Sequence, residues 1–303
     1  MARQRLGQAY ASLGDYRRAV EAFTRHLAGV EAEPASGRKA STGLRAAADR
    51  AWTAWCLAPL GDFAESNGHA KEAVRLAELG QHDLSLAMAY LGAGRAPLMQ
   101  GDFAAAISWF SKSVEICRRS NFAPLFLLTA CDLGQAYVRS GRAPEAVVLL
   151  EEATVQSGAL RLMPTHAWNV VMLAESYLLS GRPKEGAREL QRGLELAVAN
   201  KQRWLEAEAL RIRSAALASA GSLDFAGART AAERVLSIAT ELELRPLLGR
   251  SHLALAQIGR HAADAEAREH LERATALFTD LDMRFWLEQA EAERQAYRDV
   301  FKG

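Results

Sequence analysis

The chain has 303 residues, half of them apolar, and a formal net charge of +1 at pH 7. That length can bury a sizeable core. The near-zero charge, with lysines and arginines scattered, offers no field for nucleic acid or an anionic membrane. The most apolar stretch, Ala123 to Cys131, is too short to span a bilayer. The opening MARQRLGQAY lacks the apolar segment and cleavage site of a secretory leader. Cys56, Cys117 and Cys131 show no CxxC spacing. They read as free thiols in a reducing cytosol, so a cytoplasmic protein is expected.

In chain order the sequence falls into helix pairs within a single repeat domain, 1–303. Residues 1–31 form the first pair and turn at Gly14. Residues 32–43, AEPASGRKASTG, carry the Pro, Gly and Ser of a connecting insertion. Further pairs occupy 43–80, 81–120, 121–160, 161–200, 201–241 and 242–280. A last amphipathic helix, 281–300, caps the exposed apolar end. The turns carry Gly61, Gly101, Gly141, Gly181 and Gly221, one every 40 residues. A fixed period in this range marks a stacked repeat. Glycine ends a helix by accepting positive φ. Asp15, Asp62 and Asp102 follow it as N-caps, and Pro144 and Pro183 fit a first helical turn. Pro97 falls inside a predicted helix and predicts a kink. The seventh turn replaces glycine with Ala262, Ala263 and Asp264. Strand alternation and hairpin turns are absent, so the fold class is all-α.

Small residues mark where paired helices meet. In the first helix these are Ala54, Gly94, Gly134, Ala174 and Ser214. In the second they are Ala19, Ala106, Ala146 and Gly186, each followed four residues later by Phe23, Phe110, Leu150 or Leu190. A small residue permits close approach and a large one fills the space beyond. LGQAYASLGDYRRAVEAF (6–23) and LGQAYVRSGRAPEAVVLL (133–150) resemble the tetratricopeptide repeat at its Leu-Gly, Tyr, Gly and Ala positions. The resemblance implies a right-handed superhelix (α-solenoid) of about seven helix pairs plus a C-terminal capping helix, with a concave groove lined by the first helix of each pair.

No phosphate loop, nucleophile elbow or metal-ligand spacing occurs. The chain therefore reads as non-enzymatic, with no cofactor and no metal. His166, His261 and His270 read as surface or satisfied histidines. Function is expected in the groove. There Arg95, Gln135 and Glu175 recur at the 40-residue period, one residue after the small residue of their helices. Trp55 precedes them in the same register, Trp168 lies seven residues before Glu175 on the same inner face, and Asp132 lies near Gln135. These six residues form a candidate polar and aromatic site for a protein or peptide. Trp52, Trp109, Trp204 and Trp286 read as packing residues.

Longer stretches, RAWTAWCLAPLGDF (50–63), LRLMPTHA (160–167), LELRPLLGRSHLALA (242–256) and above all MRFWLEQAEAE (283–293), resemble a narrower group. It is the C-terminal repeat region of bacterial signalling proteins that join a class III adenylate/guanylate cyclase to a signal-transduction ATPase. None of that family's catalytic residues has a counterpart here. The resemblance implies a regulatory or sensor arm whose partners include cyclase and ATPase domains of the same parent chain. A free-standing peptide-binding adaptor and a small-molecule effector sensor of a transcriptional activator are the alternatives.

Overall fold

A computed structural model describes residues 2–32, 39–219, 223–261 and 266–300. Among the described residues there are fifteen α-helices and no strand. They are α1 (Ala2–Leu13), α2 (Tyr16–Glu31), α3 (Lys39–Leu60), α4 (Phe63–Gly80), α5 (Asp83–Gln100), α6 (Phe103–Arg119), α7 (Ala123–Arg139) and α8 (Ala143–Ala159). Then come α9 (Met163–Leu179), α10 (Pro183–Ala199), α11 (Arg203–Ala218), α12 (Phe225–Glu241), α13 (Arg245–His261), α14 (Ala267–Asp280) and α15 (Arg284–Val300). Seven pairs and a final helix thus form a tetratricopeptide-like solenoid. Among the described residues no helix is long and apolar enough to cross a membrane.

The repeated phrase works as its composition requires. Gly14, Gly61, Gly101, Gly141 and Gly181 all hold positive φ. Asp15 and Asp102 accept hydrogen bonds from the backbone N–H groups of Arg18 and Ala105. Asp62 stands at its helix start but pairs with Arg17 instead, at 3.3 Å. Helix α5 runs through Pro97 to Gln100, although proline has no N–H to donate to the carbonyl of Ala93. Helix α3 starts at Lys39, inside the segment read as an insertion. Gly221 and the turn at 262–264 lie outside the described residues. A Cβ on Gly94 would stand 2.4 Å from the Phe110 ring, and one on Gly134 would stand 2.6 Å from Leu150. The small residue of each first helix therefore seats the large residue of its partner.

A second set of turns was not legible. The links between pairs place Gln81, Asn121, Arg161, Lys201, Glu243 and Asp282 in the left-handed region, at nearly the same period as the glycines. A residue with a Cβ pays an energetic penalty there. In every one of these links except that at Gln81, the residue after it donates its N–H to a carbonyl of the preceding helix, as Phe122 does to Cys117 and Gln202 to Ala197.

Odd-numbered helices pack on their partners and also on the next odd helix, so they line the interior. The coil is wound tightly enough for its ends to overlap. The turn at Gly14 lies against Trp204, five pairs further along, and Trp204 Nε1 donates to Ser12 O at 3.0 Å. Gly61 lies against Leu281 and Arg245, and Gly101 against Phe285. Arg17 of α2 bridges Asp62 and Glu243, the latter at 2.9 Å. Phe103 meets Phe285 edge-on with centroids 5.0 Å apart.

Candidate functional site

Tight winding turns the expected groove into an enclosed core. Arg95 is only 2% exposed, and Trp55, Asp132, Gln135, Trp168 and Glu175 are also buried. Arg95 pairs with Asp132, one odd helix further on. Trp55 Nε1 donates to the other Asp132 oxygen at 3.0 Å. The Arg95 guanidinium stacks 4.5 Å from the Trp55 ring and 5.2 Å from the Trp168 ring. Two indoles and a carboxylate thus offset the desolvation of this charge. Tyr16 closes against Trp55, with centroids 5.9 Å apart, and burial pushes its phenol up.

Arg95, Gln135 and Glu175 do not bond one another. Gln135 Nε2 approaches Met172 Sδ at 3.8 Å. Glu175 belongs to a second cluster, pairing with Arg139 at 3.4 Å and Arg211 at 2.7 Å. Arg211 also pairs with Glu208 at 2.7 Å, and Glu208 with Arg250 at 3.5 Å. Arg139, Glu208, Arg211 and Arg250 escaped the sequence reading, which followed one position per repeat. They occupy the same inner faces one or two turns away: Arg139 is four after Gln135, Arg211 four before Ala215, Arg250 seven before Gln257.

Burial alone would raise both buried glutamates. The attraction of Arg211, Arg250 and Arg139 outweighs it at Glu208 and holds that carboxyl down at about 2. Arg139 and Arg211 likewise lower Glu175. Arg250 goes the other way: desolvation, then repulsion from Arg139, brings it down to about 9.

Two cavities open at opposite mouths of the coil. One, of about 450 Å³, lies at the N-terminal ends of α7, α9 and α11 and is walled by Trp52, Trp55, Trp168 and Trp204, with Gln8 and Gln202. The other, of about 410 Å³, lies at the far ends of α11 and α13 beside α15 and carries Arg139, Arg211, Arg250 and Arg260. A void of about 30 Å³, bordered by Arg95, Gln135, Trp168 and Arg250, lies between them. Of the six candidates, Trp55 and Trp168 wall the aromatic mouth, while Asp132 and Glu175 line neither mouth. Trp52, Trp204 and Trp286, read as packing, do pack: Trp52 stacks on Phe23, Trp204 stands edge-on to Trp168 and Trp286 packs beside Phe278. They also wall cavities. His166 is buried and meets Ser157 Oγ at 3.0 Å and Arg192 at 2.9 Å. No group of three metal-ligating side chains occurs among the described residues.

Tetratricopeptide-repeat family models match residues 2–26 and 85–154. No curated protein matches the sequence. Many solved structures share the fold, among them the three that follow. At 15% identity and a TM-score of 0.69, 92% of this chain overlays 73% of the Rap conjugation gene regulator of plasmid pLS20, solved with the Phr* peptide. Aspartyl phosphate phosphatase F from Bacillus subtilis gives 13% identity and a TM-score of 0.58, covering 95% of this chain and 70% of that one. A signal-transduction ATPase with a tetratricopeptide repeat sensor, from Pyrococcus horikoshii, gives 16% identity and a TM-score of 0.52. There 99% of this chain overlays 44% of the other.

Proposed function

We propose that this chain is a non-enzymatic regulator that takes an extended peptide segment of a partner into the aromatic mouth of the coil. The carrying observation is the hydrogen-bonding state of that mouth. The indole N–H groups of Trp52 and Trp168 are buried without an acceptor, and Gln202 Oε1 is buried without a donor. All three residues line the cavity. A peptide backbone offers both carbonyl acceptors and N–H donors, while its side chains meet four indoles. Pairing these groups relieves a desolvation penalty of about 1–3 kcal/mol each. The pLS20 Rap regulator, which carries a peptide on the same fold, supports the reading.

The test uses the whole chain and a pool of N-acetylated, C-amidated octapeptides, read by tryptophan fluorescence. Binders are expected. Trp168→Phe, which keeps a ring and removes the N–H, should weaken them roughly three- to tenfold. A pool that leaves the fluorescence unchanged removes the reading.

A second reading makes the chain the sensor arm of a larger signalling protein with cyclase or ATPase domains. Its support is the overlay of nearly the whole chain on part of a signal-transduction ATPase. Under it, the intact mass of the native polypeptide is expected to exceed the 33.0 kDa of these residues several-fold.

A further inference from the structure

The mouth opposite the aromatic one has a different chemistry. Three guanidinium groups, Arg139, Arg211 and Arg250, face two carboxylates, Glu175 and Glu208, so one positive charge has no counter-charge. The two carboxylates stand behind the arginines, outside the wall of the 410 Å³ cavity. Arg260 and Glu293 line it as a pair, 2.5 Å apart, and add no net charge. Arg250 is 9% exposed, and its Nη2 has no hydrogen-bond acceptor. Trp286 Nε1, in the same wall, also lacks an acceptor, and Arg139 Nη2 reaches only Glu175 Oε1, at 3.4 Å, without forming a hydrogen bond. Arg250 and Arg139 lie 4.9 and 5.7 Å from the Trp286 ring, so both guanidinium groups sit beside the same indole. Leu253, Ala254 and Ile258 supply an apolar side.

We propose that this cavity binds a carboxylate-bearing ligand, with the carboxylate held by Arg250, Arg139 and the Trp286 indole N–H and its hydrocarbon part against Leu253, Ala254 and Ile258. Planar guanidinium groups match the two oxygens of a carboxylate. A single surplus charge suits a monoanion, whereas a phosphate dianion would exchange one imbalance for the opposite one. The volume falls within the range of about 300–1,000 Å³ typical of small-ligand sites. The carboxylate can come from a free organic acid or from a peptide C-terminus. The inference does not rest on peptide binding at the aromatic mouth.

The experiment measures thermal stabilisation of the whole chain by five probes: 4-phenylbutyrate, its amide, inorganic phosphate, acetyl-Leu-Leu-Phe as the acid, and the same tripeptide as the amide. The acids are expected to stabilise, with the amides roughly tenfold weaker or inactive. Preference for 4-phenylbutyrate identifies a small-acid site, and preference for the tripeptide acid identifies a chain terminus. Arg250→Met should abolish the difference between acid and amide while leaving the free chain as stable or more so, because it removes an uncompensated buried charge. Trp286→Phe keeps the ring and should weaken the acids several-fold, so the claim survives a failure of Arg250→Met to fold. Equal stabilisation by acid and amide overturns it. So does phosphate matching the acids, or unchanged acid binding in Arg250→Met. Those results would leave the octapeptide assay untouched.

Discussion

The turn at Gly101 and the turn at Gly141 occupy the same place in their repeats and both hold a left-handed glycine, yet they live in different surroundings. Both glycines hold positive φ, at 97° and 78°. A Cβ on Gly101 would stand 2.5 Å from Phe285 Cβ, as Gly14 and Gly61 likewise face Trp204 and Leu281. A Cβ on Gly141 or Gly181 would meet nothing within 4 Å. The first three turns are covered by the returning end of the coil, and the next two are open. One local motif therefore does two jobs. In the open turns glycine only sets the chain direction. In the covered turns it also lets a later repeat settle on the backbone, and this overlap encloses the charged interior.

The overlap is most severely tested by Trp204→Ala. It removes the ring on Gly14, the bond to Ser12 O and the edge contact with Trp168 at 4.9 Å. A loss of about 3–5 kcal/mol is expected in urea unfolding. Next comes the matched pair. Gly101→Ala adds overpacking to positive-φ strain and should cost about 2–4 kcal/mol, against about 1 kcal/mol for Gly141→Ala. Equal losses at the two positions would mean that the coil does not overlap in solution.

A smaller effect depends on pH and is confined to the covered end. His252 and His270 approach at 2.9 Å between Nδ1 atoms. Burial, then His270 and Arg273, bring His252 down to about 4, while Glu269 pulls the other way. Between about pH 6.5 and 4 the unfolded chain binds a proton at His252 that the folded chain refuses. Stability is therefore lost as pH falls through that window, by about 1–2 kcal/mol after solvent screening. His252→Gln should flatten melting temperatures between pH 7 and 4. Smallest of all, Lys201→Gly relieves a left-handed residue in an exposed link and should change stability by about 0.5 kcal/mol or less, because added unfolded-state entropy opposes the relief. Unfolding in urea reads this difference against the parent chain.

Much of this was legible because it is local. Gly-Asp turns, first-turn prolines and small-large pairs such as Gly94 with Phe110 act within one repeat. Arg95 and Glu175 stood out as charges embedded in apolar sequence, which required burial with partners. Their partners were less visible. Asp132 was selected, but Arg139 and Arg211 lie a helical turn off the sampled position, so a single stripe passed beside them. Trp286 illustrates the limit: its spacing on α15 declares an apolar face, but not that the face closes a basic cavity formed by α7, α11 and α13.

By itself the sequence determined the helices, their pairing, the period and the side of each helix turned inward. These follow from glycine's backbone freedom, capping and periodic apolar burial, which act over a few tens of residues. Only the tertiary structure decided that the groove closes into a core with two chemically distinct mouths. Closure depends on the small rotation between successive repeats, summed over five pairs until Trp204 reaches Gly14. A slight change in that rotation leaves each repeat nearly unaltered, yet it moves the ends of the coil apart.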